Sequence, residues 1–315
     1  MKLLLVLVIL VCSSPNSQAV SPAAISTTLA TTSVPCPASS VSFNNVCYRA
    51  IYTNATWINA AVDCASQGGN LTSISNAFVN NFIVNLAEQH FGTPTRFWIG
   101  GSNSISSNNG SWVWIDGNNM TYTNWAIGRP RNIAAYDSIQ MHTPSGQWYD
   151  TPGVSAVPYV CEVPPAETNP CYGSNWYYLA ETNKCYLVIT QDGSFLDQQS
   201  TCYSLNGDLV SIHSSRENFF VGALAARVYK YDRYLIGLTY TPGNSWSWVD
   251  GTPLNWWPNN LTISSNNTKY YGLLDPTTTK NKFLWDELAY NLPFEYPAIC
   301  ESDPSFMKKE KKIVN

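Results

Sequence analysis

The chain has 315 residues, of which 44% are hydrophobic and only 12% charged, so it can build cores and is not a disordered polar chain. Its formal net charge of −4 is too small to draw a polyelectrolyte partner, and nothing points to nucleic acid. The length suggests about two domains.

From the N-terminus, Met1-Lys2 precedes an apolar run from Leu3 to Cys12, with small residues at Ser17 and Ala19. This reads as a secretory signal peptide over residues 1–19. The run is shorter than the roughly 18 apolar residues a membrane span needs, and no later stretch reaches that length. A secreted, extracellular protein without a membrane span is expected. Residues 20–35, rich in Ser, Thr and Pro, form an extended leader. One domain is expected over 36–162 and a second over 171–301. Residues 163–170, with Pro164-Pro165, form a short stiff linker between them, and 302–315 is a polar, basic tail.

In the first domain, Thr56 is a candidate N-cap for a helix through Cys64, with Trp57, Ala60, Ala61 and Cys64 at helical spacing. Phe78, Phe82, Ile83 and Leu86 predict a second helix over residues 76–89 with an apolar stripe. The later half is aromatic and rich in Gly and Asn, which predicts short strands and long loops. The second domain repeats the order: a helix over 194–202, another over about 216–228, then an aromatic, turn-laden half. Helices first and a loop-rich sheet after them make each domain α+β.

The repeat is detailed. Cys47-Tyr48 and Cys185-Tyr186 precede Cys64 and Cys202 by the same interval. Gly69-Asn-Leu-Thr-Ser-Ile74 echoes Gly207-Asp-Leu-Val-Ser-Ile212, and Phe97-Trp-Ile-Gly100 echoes Tyr234-Leu-Ile-Gly237. Trp112-Val-Trp-Ile-Asp-Gly117 matches Trp246-Ser-Trp-Val-Asp-Gly251. Asn124-Trp125, Trp148 and Cys161-Glu162 find partners in Asn255-Trp256, Trp285 and Cys300-Glu301. In each Trp-x-Trp pair both rings project to one face of a strand, and the Asp-Gly that follows suits a tight turn.

Nine cysteines are present; one, Cys12, falls in the signal, and the other eight divide four and four. An even count in an exported chain reads as a disulfide framework, with three connectivities open in each domain. Asn54, Asn70, Asn109, Asn119, Asn260 and Asn266 open Asn-X-Ser/Thr sequons, expected to carry glycans at the surface.

These residues resemble the C-type lectin-like domain family, twice, over nearly all of 36–301. The resemblance implies two helices, a small antiparallel sheet and a long loop region in each copy. It implies the pairings Cys36–Cys47, Cys64–Cys161, Cys171–Cys185 and Cys202–Cys300. A bridge closing roughly 100 residues contributes about 4.7 kcal/mol in the chain-entropy model. A further bridge usual in the family is missing: its positions fall at Ser138 and Gly153 in the first domain and near Gly272 and Tyr290 in the second. Looser loops are expected there unless aromatic packing compensates. Tandem copies of this kind also resemble the secreted defence lectins of invertebrates, which links the chain by analogy to innate immunity.

Sugar-binding members of the family hold Ca²⁺ on the long loop, where the ion takes about 6–8 oxygens. At those positions the first domain has Arg129-Pro130-Arg131, Tyr136 and Trp148-Tyr149-Asp150. Two cations stand where oxygens are needed, so no metal is expected and Asp150 is expected in an ion pair. The second domain has Trp257-Pro258-Asn259, Tyr270 and Trp285-Asp286-Glu287. Asn259, Asp286 and Glu287 leave a weak Ca²⁺ site as the alternative to a solvated acidic turn, which is the favoured reading. No other cofactor is expected. Tyr136, Tyr149, Trp257 and Tyr270 are candidates for stacking on a sugar or a protein, or for filling the core. With three histidines and no nucleophile elbow or phosphate loop, an enzyme is not expected. The residues point to a secreted lectin-like recognition protein, carbohydrate-binding with calcium dependence in doubt. The alternatives are a calcium-independent protein-binding module and a matrix component.

Overall fold

The computed structural model describes residues 35–103, 111–131, 133, 135–165, 170–171, 175–228, 233–258, 261, 268–279, 282–290 and 292–304. The expected signal peptide, nearly all of the expected leader, most of residues 302–315, and the sequons at Asn109, Asn260 and Asn266 lie outside the described residues, as does Asn259.

The first domain runs β1 (Val41–Phe43), β2 (Val46–Ala55), α1 (Trp57–Ser66), β3 (Asn70–Leu71), α2 (Ala77–Phe91), β4 (Arg96–Ser102), β5 (Val113–Trp114), β6 (Ser138–His142), β7 (Trp148–Thr151) and β8 (Val157–Val163). The second repeats it with β9 (Tyr177–Leu179), β10 (Lys184–Gly193), α3 (Phe195–Ser204), β11 (Asp208–Leu209), α4 (Ser215–Val228), β12 (Tyr234–Tyr240), β13 (Trp246–Trp248), β14 (Tyr270–Thr279), β15 (Lys282–Ala289) and β16 (Tyr296–Ser302). The sheet order is β1-β2-β8-β4-β6-β7 in one and β15-β14-β12-β16-β10-β9 in the other. The second strand of each domain therefore pairs with its last, β2 with β8 and β10 with β16, with the middle strands on the far side. The α+β class follows.

Local chemistry sets the boundaries. Asn44 and Asn45 both take positive φ and turn β1 into β2, a conformation asparagine tolerates. Thr56 Oγ1 accepts from Asn59 N at the start of α1, and Asn76 Oδ1 accepts from Phe78 N and Val79 N at the start of α2. Ser194 and Asp197 form a reciprocal capping box on α3. Of the stripe expected on α2, Phe82, Ile83 and Leu86 pack on the core, whereas Phe78 is 77% exposed and Val79, Val84 and Ala87 complete the buried face.

Four disulfides join Cys36–Cys47, Cys64–Cys161, Cys171–Cys185 and Cys202–Cys300. The two long ones tie α1 to β8 and α3 to β16, so each closing strand is fixed to the first helix of its domain.

The Trp-x-Trp segments form the centre of each loop half. Trp114 meets Trp148 edge-on at 5.4 Å, and Trp248 meets Trp285 at 5.4 Å in the same manner. Trp148 Nε1 donates to Asn80 Oδ1 (2.9 Å) and Trp285 Nε1 to Asn218 Oδ1 (2.8 Å), so helix, hairpin and loop close on one ring in both copies. The first Trp of each pair, Trp112 and Trp246, is half-buried, while the second is buried.

The largest buried cluster belongs to both domains. Trp57, Ala60, Ala61 and Cys64 of α1 share it with Phe219, Phe220 and Ala223 of α4, and Trp57 meets Phe219 edge-on at 6.3 Å. Every residue from Glu217 to Ala225 is buried, because α4 is covered by its own sheet on one side and by α1 on the other. At Gly222 a Cβ would lie 2.2 Å from the ring of Phe283, so only glycine lets α4 approach β15 this closely.

Candidate functional site

In the first domain the long loop leaves the Trp hairpin and is tied to β7. Ala126 N donates to Trp148 O, Trp148 N to Asn124 O, and Asn124 Nδ2 to Gly146 O at 2.8 Å. These bonds bring Arg129 and Arg131 against the middle of β7. Arg129 Nη1 donates to Asp150 Oδ1 (2.7 Å) and to the Asp150 carbonyl (2.9 Å). The Arg131 backbone N donates to Asp150 Oδ2 at 2.9 Å, while its Nε stands 3.8 Å away. The Asp150 side chain is wholly buried, so a charge that would be costly to desolvate alone is met on both oxygens.

Around this pair the aromatic groups form a stack. Arg131 lies over the Tyr136 ring at 3.9 Å and Arg129 over Tyr149 at 5.1 Å. Tyr149 in turn stacks on His142 with centroids 3.9 Å apart. Burial, and then the guanidinium groups of Arg96 and Arg129, lower the His142 pKa to about 4. The imidazole is therefore neutral at physiological pH.

The second domain handles the same positions differently. Trp257, 37% exposed, packs on Trp285 at 5.8 Å beside Trp256. Asp286 and Glu287 lie within β15, not in an acidic turn as expected, because the hairpin β14–β15 extends well past them. Asp286 Oδ2 accepts from Arg233 Nε (2.9 Å) and pairs with its Nη2 (2.8 Å). Tyr270, expected among the ligand-facing aromatics, is instead 4% exposed: it opens β14 opposite Tyr240, and the two rings pack at 6.2 Å.

At these positions the carboxylates of Asp150 and Asp286 meet cationic side chains. Ca²⁺ needs several oxygens turned to one point. In the first domain the one carboxylate is engaged by Arg129 and the Arg131 amide, and in the second Asp286 is held by Arg233. Among the described residues no group of three or more His, Cys, Asp or Glu is arranged to hold a metal.

The strand register also places the missing bridge. Ser138 and Gly153 are adjacent, a Cβ on Gly153 falling 2.8 Å from Ser138 Oγ. Since Met141 pairs with Trp148 and Leu274 with Trp285, the residue matching Ser138 is Tyr271, one before Gly272. Tyr271 meets Tyr290 at 5.8 Å and stacks on Phe195 at 3.9 Å, so rings occupy the place of the bond. Beside them Leu196, Leu292 and Phe294 help line a cavity of about 270 Å³, and all three are largely exposed.

Of the described sequons, Asn54 and Asn119 are exposed. Asn70 is half-buried, with its amide oxygen oriented to accept from Arg216 Nη2 at 3.0 Å.

The Lectin C-type domain profile matches this chain twice, over residues 53–163 and 191–301. The chain belongs to the C-type lectin domain family. The lectin domains are 28% identical over 225 residues to human lymphocyte antigen 75, covering 66% of this chain and 12% of that protein. The human secretory phospholipase A2 receptor is 25% identical over 280 residues, 82% of this chain and 18% of the receptor. C-type lectin 1 of Hydrophis hardwickii is 32% identical over 135 residues, 41% of this chain and 80% of that protein. The chain thus spans less than a fifth of the length of the two human relatives. Among solved structures, the C-type lectin CEL-I from Cucumaria echinata is 29% identical, with a TM-score of 0.38, covering 40% of this chain and 95% of CEL-I. Membership of this family supports recognition of carbohydrate or protein by these lectin domains.

Sequence reasoning missed Arg233, Arg96 and His142. Arg96 and Arg233 stand immediately before the matched strands Phe97-Trp-Ile-Gly100 and Tyr234-Leu-Ile-Gly237, which is the signal that could have found them.

Proposed function

We propose that this is a secreted recognition protein whose two lectin domains bind carbohydrate without calcium, and not an enzyme. The observation that carries the reading is that in each copy an arginine engages a carboxylate from the candidate calcium set. Arg129 engages Asp150 and Arg233 engages Asp286, while Tyr149 and Trp257 remain at the surface beside them. Aromatic faces and guanidinium donors suit sugar rings and their hydroxyls. Four disulfides support passage through an oxidising compartment. A glycan array run on the full chain with Ca²⁺ and with chelator tests the proposal. Equal glycan signal in both conditions is expected; signal only with Ca²⁺ would overturn the calcium-independent reading.

One observation favours a protein ligand as the second reading. Leu196, Tyr290, Leu292 and Phe294 are 60%, 55%, 44% and 53% exposed around one cavity of the second domain. Contiguous exposed apolar residues of this kind mark protein contacts. An empty array together with a partner cross-linked through this face would favour it.

A further inference from the structure

We infer that the first domain binds an anionic group carried on a saccharide, a sulfate or a carboxylate, at the paired guanidinium groups of Arg129 and Arg131. The inference rests on the proposed carbohydrate reading and narrows its ligand.

The charge at this site does not close. Asp150 is the acid that faces the two arginines, and its oxygens take Arg129 Nη1 and the Arg131 backbone N. The Arg131 guanidinium approaches Asp150 only through Nε at 3.8 Å, outside hydrogen-bond distance. One positive charge is left over. Arg96, exposed and paired in register with His142 on β6, adds another. The next acid, Asp137, is turned to Ser138 Oγ and Gly153 N at 3.0 and 3.2 Å. This local excess stands in a chain whose formal net charge is −4, so it is not a general property of the surface.

Donors are also free to act. Among the described residues, Arg129 Nη2 and both Nη atoms of Arg131 make no hydrogen bond. Both side chains reach solvent, at 21% and 37% relative exposure. Neither is loose: Arg131 lies over the Tyr136 ring at 3.9 Å, and Arg129 is held by Asp150 and lies over Tyr149 at 5.1 Å. A guanidinium held over a ring, with Nη atoms unbonded and partly exposed, can offer the fork that matches the oxygens of a carboxylate or sulfate. Because the rings already fix the side chains, little rotamer freedom remains to be lost on binding. Burial and the nearby cations Arg96 and Arg129 lower the His142 pKa to about 4, in keeping with a positive local field. Tyr149 and Tyr136, both half-buried, supply ring faces for the sugar that carries the anion.

The test is calorimetry on the full chain, in chelator, with three tetrasaccharides: one derived from heparin, one from hyaluronan and one from chitin. They carry sulfate with carboxylate, carboxylate alone, and no charge. The expected result is binding of an anionic tetrasaccharide about tenfold or more tighter than the chitin one, weakened by salt. The hyaluronan arm separates carboxylate from sulfate as the recognised group. R131A is expected to lose about tenfold and R131K to recover part of it, because lysine keeps the charge without the fork. R131A should melt with the native chain, since Arg131 makes no close ion pair. Anionic binding unchanged in a folded R131A, or no preference over chitin tetraose, overturns the inference. Neutral-sugar binding with no preference for either anionic tetrasaccharide overturns it but leaves the carbohydrate reading intact. An array with no glycan signal of any kind overturns both.

Discussion

Arg216, in the first turn of α4 in the second lectin domain, places Nη1 2.5 Å from the carbonyl oxygen of Asp116 in the first. Its Nη2 reaches Asn70, and its charge acts on Glu162. Burial raises the Glu162 pKa to about 7; the Ser73 amide, Thr72 and Arg216 hold it down, while Asp116 pushes it up. The matching Glu301 takes its cation from its own domain, Lys184 Nζ at 2.6 Å. One domain therefore borrows from the other what the other supplies for itself. Arg216→Ala is expected to remove about 1–3 kcal/mol of stability, since it leaves polar groups unmatched at the domain contact. Scanning calorimetry of the full chain checks it: the single transition expected of a shared core should broaden or divide in the variant. An unchanged thermogram would show that α1–α4 packing alone couples the domains.

The Asn–Trp bonds offer a paired measurement. Asn80→Ala and Asn218→Ala each orphan a buried indole N–H, at Trp148 and Trp285 respectively. Asn218→Ala also takes a donor from Phe283 O, whereas Gly146 O keeps Asn124 Nδ2 when Asn80 is replaced. Losses of about 1–3 kcal/mol are expected for each buried group left unpaired. Because the indole bond is repeated, urea unfolding should show a loss in both variants, the larger in Asn218→Ala. A large loss in one and none in the other would mean the copies are not equivalent in energy.

His142 links pH to stability. Its folded pKa, about 4, lies below the 6.5 of a free imidazole, so the unfolded chain takes up the proton first as pH falls. The stability gained by keeping the ring neutral is complete above about pH 6.5 and is lost as pH falls towards about 4. Proton NMR should find this imidazole titrating near 4, and His142→Gln should flatten the stability profile between those limits. An imidazole titrating at its ordinary value would mean that neither burial nor Arg96 and Arg129 act on it.

Much of this was legible before any coordinates. The Trp-x-Trp-x-Asp-Gly repeat, the cysteine spacing and the capped apolar runs placed four helices and two α+β domains, because periodicity and turn chemistry are local. The opposition of Arg129 and Arg131 to Asp150 could also be read, since opposite charges at matched motif positions must be reconciled. Other contacts were hidden. Tyr270 reads like Tyr149 as an aromatic beside a loop, but register alone turns one ring into the core and leaves the other half-exposed. Tyr271 could not be told from Gly272 as the counterpart of Ser138, because a one-residue slip in pairing exchanges the faces of a strand.

By itself the sequence determined that the fold is used twice and that the first domain's loop has traded oxygens for guanidinium groups. Those are properties of residue type at fixed spacing. Only the tertiary structure decided that the two copies share one core through α1 and α4, that Arg216 serves the neighbouring domain, and that Arg233 claims Asp286. Each of these joins residues far apart in the chain, and their meeting depends on how helices and strands pack and not on any local pattern.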